Sequence, residues 1–94
     1  MIEQQTSGGA FATSHFLATE AGAVALRAGG NAVDAAIAAA ATLCVVYPHN
    51  VALGGDLVAL VRSPSGEIRF LNGTGTAPAA QSLEALRAAH GEHL

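Results

Sequence analysis

Four histidines, one cysteine and a scatter of hydroxyls and carboxylates are the side chains of this 94-residue chain that could carry chemistry, and their spacing narrows the options. His15, His49, His90 and His93 include one i, i+3 pair near the end of the chain, with no carboxylate or cysteine at ligand spacing nearby, so no metal site is expected. Cys44 lies in the apolar run Leu43-Cys44-Val45-Val46, where a small buried thiol is the default and a reactive thiolate would need exposure and a positive neighbour. His49 follows Pro48 and precedes the Gly54-Gly55 turn. It is read as a structural hydrogen-bonder, because acid/base work by an imidazole requires an orienting partner that the neighbourhood does not offer. Asp56, directly after Gly54-Gly55, either caps a turn or orients a substrate amine. Gly29-Gly30-Asn31 follows a helical stretch and lacks both the G-x-G-x-x-G and the Gly-Lys-Ser/Thr arrangements that cradle phosphate. No residue of the chain is assigned as catalytic and no cofactor is expected.

The elements that must position these groups are legible at coarse grain. The polar, glycine-containing lead over residues 1–9 is expected to be mobile, and Ala10 to His15 reads as a short strand. Leu17 to Ala28 places Leu17, Ala21, Val24, Ala25 and Leu26 at helical spacings, with Glu20 and Arg27 matching the dipole at the two ends. Gly29 and Gly30 close that helix. Asn31 caps the next, with Asp34 facing its positive end, so two helices meet at a tight corner. The second helix, Ala32 to about Val46, is apolar nearly all round, which implies cover on most sides, and Pro48 stops it. Leu57 to Arg62 and Glu67 to Leu71 pair most simply as an antiparallel hairpin across Ser63-Pro64-Ser65-Gly66, with the charges of the second strand outward. Asn72 to Pro78 is loop, and Ser82 caps a further helix. The expectation is an α+β segment of two helices, a β-hairpin and a further helix.

Five blocks taken in order resemble one known family. They are His15-Phe16-Leu17-Ala18-Thr19-Glu20-Ala21-Gly22, then Gly29-Gly30-Asn31-Ala32-Val33-Asp34-Ala35-Ala36, Tyr47-Pro48-His49, Gly54-Gly55-Asp56, and Asn72-Gly73-Thr74-Gly75-Thr76-Ala77-Pro78. Together they resemble the amino-terminal part of the large subunit of γ-glutamyltransferases. The resemblance implies an amino-terminal nucleophile hydrolase with an αββα sandwich, made as a precursor that cuts itself into a large and a small subunit. The nucleophile implied is the threonine that opens the small subunit, whose own amine serves as base. That threonine is expected outside these residues, so residues 1–94 are read as a single segment of a larger domain, inactive alone. Its partners would be the rest of the large subunit, the small subunit and a small-molecule amide. In γ-glutamyl-transferring members the arginine of Asp-Gly-Arg-Glu binds the substrate α-carboxylate, a task for a bidentate, permanently charged guanidinium. Here Thr74 stands in its place, with Asn72 for the aspartate, Gly73 retained and Gly75 for the glutamate. These four are the expected substrate-binding residues, and the exchange implies an amidohydrolase or acyltransferase not strictly specific for γ-glutamyl groups. Gly29, Gly30, Asn31, Asp34, His49, Gly54 and Gly55 are expected to be structural.

Composition bounds the remaining classes. Hydrophobic residues make up 51% of the chain and charged ones 12%, apolar for a free-standing domain of this size, yet 22 of the residues are alanines that bury little area each. The net charge of -3 and four scattered arginines exclude a nucleic-acid stripe. The apolar run from Ala35 to Val46 would rise only about 18 Å as a helix, too short for a bilayer. The start carries no secretory signal pattern, from which a cytoplasmic location is expected. The rival expectation is a noncatalytic interaction module, or a truncated gene product, whose alanine-rich helix packs on a partner.

Overall fold

The computed structural model describes residues 2–6 and 8–92, with side chains described from residue 8 onward. Its elements are β1 (Ile2–Thr6), β2 (Gly9–Thr13), α1 (Phe16–Arg27), α2 (Ala32–Val46), β3 (Leu57–Arg62), β4 (Ile68–Gly73) and α3 (Leu83–His90). The class is α+β, as the sequence implies, with two separate two-stranded antiparallel sheets, β1-β2 and β3-β4.

The helical corner is held by backbone chemistry that its eight-residue signature encodes. At the end of α1 the Gly29 N–H donates to the Leu26 carbonyl at 3.1 Å and the Gly30 N–H to the Ala25 carbonyl at 2.9 Å, the paired bonds of a Schellman motif. The two glycines are needed for different reasons. Gly29 sits at φ +93°, in the left-handed region, whereas a Cβ on Gly30 would lie 2.8 Å from the Ala25 carbonyl oxygen. One residue later a reciprocal capping box opens α2: the Asp34 N–H donates to Asn31 Oδ1 and the Asn31 N–H to Asp34 Oδ2, both at 2.9 Å.

The seam between α1 and α2 is made of small side chains. Ala18, Ala23, Ala35 and Ala39 are buried, with Thr19 and Gly22 beside them. The larger residues at helical spacings on α1 do not form its buried face: Leu17 and Val24 are 45% and 52% exposed. Close approach of the two backbones selects the small stripe instead, because larger side chains there would hold the helices apart. The β1-β2 hairpin lies against α1, and the Phe11 ring of β2 occupies the space a Cβ on Gly22 would need. Thr13 Oγ1 lies 2.8 Å from the fully buried Thr19 Oγ1 and donates to the His15 carbonyl at 2.7 Å, tying β2 to the start of α1. The lead expected to be mobile is therefore partly corrected. Residues 2–6 pair with β2 from Ile2↔Thr13 to Thr6↔Gly9, a ladder of backbone bonds that needs no apolar alternation to form.

Three further expectations of cover are not met among the described residues. Only Ala35 and Ala39 of α2 are buried, while Val33, Ile37 and Val45 remain exposed, because α1 covers one stripe of a helix that is apolar on every side. Cys44 is half-buried rather than enclosed. The β3-β4 hairpin forms as expected, in register from Leu57↔Gly73 to Arg62↔Ile68, but neither of its faces is buried. Register puts Ala59, Val61, Arg69 and Leu71 on one side and Val58, Leu60, Ile68 and Phe70 on the other. The first side borders α2 across an open cleft that Leu60 and Arg62 also edge, and the side with Ile68 and Phe70, expected to be inward, is exposed. The molecule extends 57 × 32 × 18 Å with a radius of gyration of 17.9 Å. A compact domain of this length would have about 12 Å.

Candidate functional site

The expected substrate loop is built where β4 runs out. Gly73 is the last paired residue, opposite Leu57, and Asn72 pairs with Val58 one rung earlier, so the ladder fixes where the Asn72 side chain leaves the strand. Its Oδ1 accepts two bonds from Thr74, from the backbone N–H at 3.2 Å and from the hydroxyl at 2.8 Å. The first closes an Asx turn, the local device by which asparagine mimics a backbone turn. Gly75 follows at φ +74° with open space around it. Asn72, Gly73, Thr74 and Gly75 are all exposed, so the loop presents both side chains outward.

The second glycine cluster lies at the same end of the hairpin. Gly54 takes φ +75°, and the Gly55 N–H donates to the Ala52 carbonyl at 3.1 Å, giving a tight turn that delivers Asp56 to the start of β3. Since Leu57 and Gly73 form the last rung, Asp56 and Thr74 each stand one position beyond it on neighbouring strands. The Gly54–Asp56 turn and the Asn72–Gly75 loop thus leave the same end of the hairpin. The corner residues Gly29, Gly30, Asn31 and Asp34 belong elsewhere. Asn31 and Ala32 share an open space with Val61 to Pro64, so the amino end of α2 neighbours the end of the hairpin opposite the loop. Between them is an open apolar cleft of about 520 Å³, lined by Val33, Ala36 and Ile37 of α2 and by Leu57, Ala59 and Leu71.

His49 is exposed, and its ring meets Tyr47 edge-on at 4.2 Å with 62° between planes. Its contact is aromatic rather than the hydrogen bond expected of it. His15 accepts from the Leu17 N–H through Nδ1 at 3.2 Å and caps α1. His93 lies outside the described residues, and among those described no group of three or more histidine, cysteine or carboxylate side chains could hold a metal ion. No helix among them is long and apolar enough to cross a membrane. Sequence reasoning singled out Thr74 but missed that Asn72 holds it; the signal available was the Asn-x-Thr spacing itself.

A sequence model of the family described as Gamma-glutamyltranspeptidase matches residues 18–93. The chain belongs to the γ-glutamyltranspeptidase family. Its match falls on the amino-terminal part of the large subunit. It is 42% identical over 71 residues to an oxamate amidohydrolase proenzyme from Klebsiella pneumoniae, a stretch covering 76% of this chain and 13% of that protein. It is 47% identical over 62 residues to a glutathione hydrolase-like YwrD proenzyme from Bacillus subtilis, covering 65% of this chain and 12% of the relative. Among solved structures, the γ-glutamyltranspeptidase of Pseudomonas nitroreducens complexed with L-DON matches with a TM-score of 0.76 at 37% identity, over 84% of this chain and 23% of that one. The chain thus spans about an eighth of the length of these two proenzymes. Family members are hydrolases and transferases acting on amides.

Proposed function

We propose that these residues are the opening segment of a γ-glutamyltranspeptidase-like amidohydrolase that is not strictly specific for γ-glutamyl groups. The α1-α2 corner serves as part of a helical layer, β3 and β4 as strands of a larger sheet, and the Asn72–Gly75 loop as one wall of the acyl pocket. Chemistry comes from a threonine nucleophile in the small subunit, and this segment contributes no catalytic residue. The hairpin supports such a layered role: α2 flanks one of its faces while the other offers Val58, Leu60, Ile68 and Phe70 for a second sheet, as an αββα sandwich requires.

The observation that carries the specificity reading is the neutral, locally hydrogen-bonded Thr74 at the position where the resemblance puts a carboxylate-binding arginine. A guanidinium forms two charge-assisted bonds to a carboxylate, and a hydroxyl replaces neither the charge nor the fork. The name of the Klebsiella relative, an oxamate amidohydrolase, is in keeping with a family that accepts acyl groups other than γ-glutamyl. The test uses the complete protein, with a γ-glutamyl anilide and a simple acyl anilide assayed on the wild type and on Thr74→Arg. The variant is expected to raise kcat/KM for the γ-glutamyl substrate, relative to the other, by about tenfold or more, since each lost charge-assisted bond is worth that order. Efficient γ-glutamyl turnover by the unmodified protein would overturn this reading.

A further inference from the structure

We infer that the acyl group accepted at this site presents a hydrogen-bond donor, a hydroxyl or an amine, to Thr74, and that Asn72 is the positioning residue that imposes this; the inference rests on the amidohydrolase reading above. It comes from counting hydrogens. A threonine hydroxyl has one hydrogen and two lone pairs. Here the hydrogen is already engaged, because Thr74 Oγ1 donates to Asn72 Oδ1 at 2.8 Å. The Thr74 N–H donates to the same atom at 3.2 Å, which identifies that atom as the carbonyl oxygen, since an amide nitrogen does not accept. What Thr74 Oγ1 has left to offer is lone pairs.

A carboxylate also carries only lone pairs, so against Thr74 it meets an acceptor with an acceptor. Turning the hydroxyl toward it breaks the bond to Asn72. A hydroxyl or amine on the acyl group supplies the missing hydrogen and leaves that bond intact. Asp56 acts in the same direction. It stands one position beyond the Leu57↔Gly73 rung, as Thr74 does on the other strand, and it is exposed. Its charge disfavours an incoming carboxylate and favours an amine. The loop therefore sorts acyl groups by the direction of a hydrogen bond as well as by charge, and one asparagine sets that direction.

The experiment takes the complete protein and four amides with one leaving group, whose acyl ends carry a hydroxyl, an amine, a methyl or a carboxylate. kcat/KM is measured for the wild type, Asn72→Ala, Asn72→Asp and Thr74→Val, with a thermal midpoint for each so that loss of fold is read separately from a change in preference. The wild type is expected to favour the hydroxyl and amine ends over methyl by about tenfold, the order of one well-placed hydrogen bond, with carboxylate last. Asn72→Ala frees the hydroxyl hydrogen and raises the carboxylate-to-hydroxyl ratio about tenfold, while Asn72→Asp keeps the acceptor and the wild-type order. Thr74→Val removes the preference for hydroxyl over methyl. A wild type that favours the carboxylate, or an Asn72→Ala ratio equal to the wild type's, overturns the inference and leaves the amidohydrolase reading standing. No turnover of any amide overturns both.

Discussion

The α1-α2 corner and the β3-β4 hairpin are drawn from similarly apolar stretches, yet they hold their shapes by different means. At the corner every buried side chain is alanine or threonine, with Gly22 between them, and in the turn that ends α1 a methyl group on Gly30 would meet the Ala25 carbonyl oxygen. In the hairpin no residue reaches full burial: Leu60 is 74% exposed and Phe70 60%. Its form rests on the backbone ladder and on the Ser63–Gly66 turn, where the Gly66 N–H donates to the Ser63 carbonyl at 2.9 Å and Gly66 takes φ +91°. The first region adds a packed seam to its local hydrogen bonds, and the second has local hydrogen bonds alone. The Asn72–Gly75 loop belongs to the second kind, so its geometry is set by Asn72 and two glycines and not by a surrounding core.

That contrast breaks most readily at Ala39, 3% exposed at the centre of the helix seam. Ala39→Leu adds three heavy atoms at a buried position of α2, and overpacking of this kind costs about 1–3 kcal/mol; the upper end is expected, read as a shift in the denaturant midpoint of the complete protein. A loss within experimental error would mean the seam is loose and the corner is no better specified than the hairpin.

A pair of glycine substitutions sharpens the same contrast. Gly30→Ala puts a Cβ 2.8 Å from a backbone oxygen that cannot turn aside, and about 2 kcal/mol is expected. Gly75→Ala meets nothing within 4 Å but must hold φ near +74°, which costs about 1–2 kcal/mol for an L-residue. Asparagine visits the left-handed region at lower cost, so Gly75→Asn should recover most of the loss, whereas Gly30→Asn should recover none. Thermal midpoints of the four variants check this, and equal recovery at both positions would show that backbone crowding at Gly30 and positive φ at Gly75 are not the separate constraints the structure gives them.

How much of this was legible in the sequence follows the same division. Signals that act within a few residues read through well: Gly29, Gly30, Asn31 and Asp34 announced the corner, and Ser63-Pro64-Ser65-Gly66 between two β-rich runs announced the hairpin. What did not read through was which face is covered. Periodicity marks where apolar side chains lie but not what stands opposite them, so Leu17 and Val24 were expected inward, α2 was expected to be covered on most sides, and the Ile68-Phe70 face was expected to be buried. Strand β1 was missed because Gln4-Gln5-Thr6 carries no apolar alternation and pairs through its backbone. At the candidate site Thr74 and its neighbours were visible through the family resemblance. The direction of the Thr74 hydroxyl was not, since it depends on two distances to Asn72 Oδ1.

The smallest expected effect tests whether the hairpin leans on charge. Arg69 Nε donates to Glu67 Oε1 at 3.0 Å, with the two side chains 74% and 58% exposed. An exposed pair gains little Coulomb energy against water and salt and must hold two long side chains in one geometry, so such pairs contribute from nothing to about 1 kcal/mol. Glu67→Gln is therefore expected to change stability by no more than about 0.5 kcal/mol, and by less still at high ionic strength, where the residual attraction is screened. The substitution keeps the side chain's length and an acceptor oxygen, so any larger loss reports on charge rather than shape. A destabilisation several times greater, erased by salt, would mean that this pair at the start of the second strand, and not the ladder and turn alone, sets the stability of the hairpin.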